Sequence, residues 1–163
     1  LLVNLKSQYG LYAHFLEPIF HILGGISVFK FTLVMAILVF SSIFSIGIFL
    51  YWIIRNKALA LTGFIATVYF NYFLGTAWPY ELYFQYTPIR TIFPCILLVL
   101  SYNYFTASSK RKLYFILVFL SIGILWKLDV GLFAWLAFVS SLIYRELILR
   151  TNFYFINRHI PFR

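Results

Sequence analysis

His14, Glu17 and His21 are the residues whose types and spacing come closest to acid–base chemistry in this chain. They fall at i, i+3 and i+7, which on a helix places all three on one face, where two imidazoles and a carboxylate can exchange protons or hold a polar ligand. Pro18 interrupts that pattern. A proline disfavours helical backbone at the preceding residue and suits the first position of a new helix, so the sequence predicts Glu17 as a cap and Pro18 as the start of a helix through IFHILGG. The carboxylate would then accept bonds from the free N–H groups of that first turn. Gly24-Gly25 predicts a break after it, leaving a helix at the membrane surface. The separation of the two histidines across a proline argues against a metal pair, and the chain carries no HExxH, phosphate-binding glycine loop or GxSxG elbow. Neither a metal nor a cofactor is expected.

The elements that must position these groups are hydrophobic. The 163 residues are 63% hydrophobic, 23% aromatic and only 10% charged, with a mean hydropathy of +0.92. A soluble domain carries about 45–50% apolar and about 25% charged residues, so the composition is that of an all-α integral membrane protein. The single Cys95 excludes a disulfide framework or a cysteine metal site within the chain. The net charge of +9 is distributed in short clusters between apolar runs, a pattern of membrane topology; nucleic acid is not an expected partner. The chain begins at Leu1 with no basic n-region. That beginning reads as a fragment or processed piece of a longer polytopic protein.

Phe31–Ile54 runs 24 residues without a charge, enough to cross a hydrocarbon core of about 30 Å. Its Ser41, Ser42, Ser45 and Gly47 form a small-residue stripe suited to helix packing. Further spans are expected at Ala58–Leu74, Thr91–Thr106, Leu113–Trp126 and Val130–Ile148, with Pro94 tolerated in the first turn of its helix and Lys127-Leu128-Asp129 forming a hairpin turn. An unbroken helix over 113–148 would carry Lys127 and Asp129 near the bilayer centre, at about 2.5–3.5 kcal/mol each. The chain thus divides into a juxtamembrane segment (1–30), a five-helix region (31–148) and a basic, aromatic tail (149–163). Nine basic residues fall at 55–57, 107–112 and from Arg145 onward, against four (Lys6, Lys30, Arg90, Lys127) on the other side. The positive-inside rule then makes the richer side cytoplasmic.

That topology sends Glu17, Glu81 and Asp129, three of the four acids, to the extracytoplasmic face with His14, His21 and Arg90. Arg90 lies between Pro88 and the expected start of the third span, where a guanidinium can grip a phosphate in two-point fashion beside a helix N-terminus. It can equally anchor the helix at the interface or pair with Glu81. The aromatics between Tyr69 and Tyr86 can stack on sugar rings or a polyprenyl chain, or form a belt among lipid headgroups.

The strings QYGLYAHFLEPIF (8–20), YFQYTPIRTIFP (83–94) and ILWKLDVGLFAWL (124–136), in this order with spans between, resemble bacterial multi-pass membrane proteins akin to the GT-C glycosyltransferases. The resemblance implies a transferase in the bacterial cytoplasmic membrane that takes sugar from a polyprenyl-phosphate carrier on the outer face. Its catalytic acid would lie in a loop upstream of Leu1, with further transmembrane helices. On that reading Arg90 holds the donor phosphate, Tyr9, His14 and Glu17 shape the donor or acceptor pocket, and Asp129 orients neighbours or binds hydroxyls. His21 and Glu81 are further candidates on the same face. A transporter or flippase module and a non-catalytic assembly subunit are the alternatives; a transporter would call for broken helices and ionisable groups near mid-span.

Overall fold

The computed structural model describes residues 10–70 and 86–149. Among these residues the protein is all-helical: α1 (Tyr12–Ile22), α2 (Val28–Ile53), α3 (Lys57–Val68), α4 (Tyr86–Thr106), α5 (Lys110–Trp126) and α6 (Leu128–Ile143), the last running into a π-helical turn (Tyr144–Leu149). Three stretches, Val28–Ile53, Thr87–Thr106 and Leu128–Leu147, are long and apolar enough to cross a membrane. The 12 residues of α3 and 17 of α5 are shorter.

Capping explains several boundaries. Ser27, Asn56 and Ser109 each turn a side-chain oxygen onto the N–H groups of the following first turn, so α2, α3 and α5 begin before the apolar runs do. Between α1 and α2 the predicted break is present. Gly24 and Gly25 adopt φ of +76° and +101°, Gly25 N–H donates to Phe20 O and Gly24 N–H to His21 O, which together form a Schellman motif.

Two expectations about proline are corrected. Pro18 does not open a helix, and Glu17 is not a cap: both lie inside α1, which begins at Tyr12. The stripe Tyr12, Leu16 and Phe20 packs into the bundle, with Leu16 and Phe20 buried, and this burial outweighs the local cost of a proline in the helix. Pro94 likewise sits inside α4, which starts at Tyr86 rather than Thr91 and takes Pro88 into its first turn. Arg90, expected just ahead of the helix, is therefore its fifth residue.

The bundle is built around the α2–α4 pair, with α3 against α2 and the α5–α6 hairpin against α4. Thr91 and Ser42 hydroxyls meet at 3.3 Å and Trp52 stacks on Tyr102 at 5.4 Å, so α2 and α4 run parallel. Phe64 of α3 lies against Gly47, and Leu50 against Gly63, which sets α3 antiparallel to α2. A single residue, Lys127, separates α5 from α6. Pairs equidistant from it along the sequence, Leu120 with Ala134 and Ile116 with Phe138, share one buried cluster with Leu97 of α4. A second cluster, Leu16, Phe20, Val34, Met35, Ile89, Ile92 and Trp126, unites α1 with the opposite end of the bundle.

The hairpin is tightest at Gly131, where an added Cβ would come within 2.4 Å of Gly123 O and Ile124 N. Gly63 is roomy by comparison, its nearest neighbour being Leu50 Cδ1 at 4.0 Å. Gly131→Ala should destabilise the protein by about 1–3 kcal/mol through forced separation of the helices. Gly63→Ala should be neutral or stabilising, by up to about 1 kcal/mol, because alanine favours helix. Thermal unfolding in detergent micelles compares the two; equal melting points would mean that the crossing is not close.

Candidate functional site

Trp126 ends α5 and joins three elements. Its indole Nε1 donates to Ile89 O of α4 at 3.0 Å, its ring contacts Phe93 at a centroid distance of 5.6 Å, and Tyr12 and Phe15 of α1 each approach to 6.1 Å. Large aromatics with one polar atom suit such a junction: most of the ring is buried against apolar neighbours while the N–H finds an acceptor.

The segment before α1 completes the junction. Leu11 N–H donates to Leu125 O at 2.8 Å, satisfying one of the carbonyls that the end of α5 leaves without an intrahelical partner. Gly10, at φ +79°, lies so close that a Cβ would fall 2.4 Å from Trp126 O and 2.9 Å from Lys127 Cα. Glycine is required there on both counts.

Lys127 occupies the reversal in extended conformation (φ −152°, ψ 109°), closing α5 and opening α6. Its N–H donates to Gly123 O and its carbonyl accepts from Gly131 N–H. The residue is 2% exposed, and its ammonium stands 3.6 Å from Asp129 Oδ2, on a carboxylate that is half exposed. Burying an ammonium is costly unless it is paired, and Asp129 supplies that partner from the first turn of α6, where the helix dipole also favours a negative charge.

Around this junction the predicted residues are arranged as follows. His14, Glu17 and His21 do share one face of α1, because the helix is continuous through Pro18, and all three are exposed, opposite the buried Leu16 and Phe20. His14 Nδ1 lies 3.8 Å from Glu17 Oε2 in an exposed pairing that solvent screens heavily. Arg90 is exposed one turn into α4, next in sequence to the Ile89 whose carbonyl Trp126 engages. Asp129 lies at the hairpin apex. Tyr9 and Glu81 lie outside the described residues. Lys127 is the residue that the sequence pattern undervalued. Glycines four positions to either side of it, at 123 and 131, were the available signal that its backbone is hemmed in.

Among the described residues no group of three or more His, Cys, Asp or Glu side chains is placed to hold a metal ion. The groups that are present can bind an anion through Arg90, accept hydroxyl protons at Asp129 and Glu17, and exchange protons at two solvated imidazoles. Comparison with protein-family models, with curated proteins and with solved structures finds no match.

If Trp126 holds α1 to the bundle, Trp126→Phe should cost about 1 kcal/mol through the lost indole bond. Trp126→Ala should cost about 3–5 kcal/mol through the cavity it leaves. Limited proteolysis should then cut between residues 10 and 27 in the alanine variant before the rest of the chain unfolds. Equal protection of that segment in wild type and Trp126→Ala would remove the junction from this role.

Proposed function

We propose that the chain is part of a membrane glycosyltransferase that moves sugar from a polyprenyl-phosphate carrier, with the reaction on the face that carries α1. The observation that carries this reading is the Trp126 junction. It holds the polar face of α1, the Arg90 turn of α4 and the Lys127–Asp129 apex at one end of the bundle. A lipid-linked sugar phosphate presents an anion, a set of hydroxyls and a long apolar tail at that level of a membrane. Arg90 would take the phosphate, Asp129 and the exposed edge of α1 (His14, Glu17, His21) the hydroxyls, and the apolar helices the tail. Tyr9 and Glu81 are further candidates for contacts to the sugar, and the catalytic acid would come from an upstream loop, as the GT-C resemblance implies.

In this proposal α2 to α6 are five spans, α3 and α5 among them. Residues 1–30, 75–90 and 127–131 face the outside of a bacterial cytoplasmic membrane, and 55–57, 107–112 and 145–163 the inside. The support is the charge distribution. Among the described residues Arg55, Lys57, Lys110, Arg111, Lys112 and Arg145 all fall at the end opposite Trp126.

Cysteines placed singly at Ser7 and Ser109, on a Cys95→Ala background, should report that orientation in intact cells. A membrane-impermeant thiol reagent should label position 7 and spare position 109; the reverse pattern would invert the topology. Arg90→Lys should lose most sugar transfer, because an ammonium keeps the charge but not the planar two-point contact with a phosphate. Expression should hold in Arg90→Lys and Arg90→Ala alike, the side chain being exposed. Full transfer activity in both variants would leave Arg90 as an interface anchor and withdraw the main support for the transferase reading.

A further inference from the structure

A cavity lies at the other end of the bundle from Trp126. It measures about 630 Å³ and is lined by Phe105, Ser140, Ser141, Tyr144 and Arg145. We propose that it binds the headgroup of an anionic phospholipid, with Arg145 on the phosphate. This inference stands independently of the transferase reading, which concerns the opposite end.

Residues 140, 141, 144 and 145 are contiguous on one side of α6 because i and i+4 positions align on a helix. The π-helical turn that begins at Tyr144 widens the helix at this point, a distortion that commonly marks functional positions. Arg145 is half-buried, its guanidinium 5.7 Å from the Tyr104 ring and 5.6 Å from the Phe105 ring. Held against two aromatic faces, the guanidinium keeps a fixed orientation, as two-point binding of a phosphate oxygen pair requires. Ser140, Ser141 and Tyr144 bring hydroxyls to the same wall. Ser141 Oγ donates to Ala137 O at 2.8 Å, and rotation of the hydroxyl can redirect that donor to a phosphate oxygen.

Three features select a lipid over a soluble anion. The cavity is at the end of apolar helices, where headgroups lie. Its walls combine one cation and three hydroxyls with aromatic surface, and its size is that of a small-molecule site. The described residues at this end carry six cations, Arg55, Lys57, Lys110, Arg111, Lys112 and Arg145, against one acid, Glu146, so the local field attracts anionic lipid. The exposed apolar side of α6, which includes Leu136 and Ile143, continues from the cavity into the span and offers a track for acyl chains.

Purified protein in detergent micelles can be titrated separately with phosphatidylglycerol, phosphatidylcholine and glycerol phosphate. Thermal unfolding and the number of lipids retained in native mass spectrometry are the two readouts. Phosphatidylglycerol should raise the melting point and be retained, whereas phosphatidylcholine and glycerol phosphate should do neither. Arg145→Gln should weaken phosphatidylglycerol about tenfold, the loss expected for a charge-assisted contact. Ser140→Trp, which intrudes on the cavity, removes one of its hydroxyls and leaves the charge in place, should weaken it as well and decides the matter if Arg145→Gln does not fold. Equal retention of phosphatidylcholine, or unchanged phosphatidylglycerol binding in the folded variants, would overturn the proposal. An equal shift from glycerol phosphate would reassign the cavity to soluble phosphates.

Discussion

The reversal at Lys127 depends on backbone contact. Gly131 lets α6 meet the α5 backbone at Gly123 and Ile124 before any side chain intervenes, Gly123 makes room for the Phe93 ring of α4, and Gly10 lets a third stretch of backbone reach the same place. Small residues serve membrane bundles in this way because lipid gives no hydrophobic reward for bringing two apolar helices together; close van der Waals contact must do so. Once the apex is closed, Trp126 is fixed in direction. Its indole N–H sets the height of α4, and its ring gives α1 a surface to lie on. The candidate site is thus a by-product of how the hairpin is packed.

The bundle holds two apolar clusters at its two ends, linked through α4, whose Ile89 and Ile92 belong to one and Leu97 to the other. The surface between them is unusually oily. Phe40 and Phe44 stack on each other while more than half exposed, as expected where lipid rather than water surrounds the helix. Polar side chains along the spans are mostly satisfied locally, Ser41, Ser42, Ser45 and Thr91 each donating to a carbonyl one turn back. These hydroxyls serve their own helices and, where Thr91 meets Ser42, the contact between α2 and α4, and they add little to the chemistry of either end.

Much of this was legible in the sequence. The apolar runs located the helices, the glycine pair located the break before α2, and the cations divided the chain between two ends. Prolines were the main source of error. Pro18 and Pro94 both signal helix starts by local rules, yet both are interior, because tertiary burial of Leu16, Phe20 and Ile89 favours longer helices than the local signals do. The i, i+3, i+7 spacing of His14, Glu17 and His21 was the better guide, since it required the continuous helix that is present. Burial of Lys127 was not legible: one lysine between two apolar runs looks like a turn, and the backbone of Gly10 that lies against its Cα comes from a distant part of the sequence.

The two interior prolines have a shared effect on the backbone. A proline has no N–H to give the carbonyl four residues earlier, and those residues are His14 for Pro18 and Arg90 for Pro94. An 11-residue helix with such a gap near its middle does not hold in water by itself, so α1 owes its existence to what Leu16 and Phe20 lie against. The 21-residue α4 has further turns on either side of its proline, and the same gap leaves it far less dependent on its neighbours.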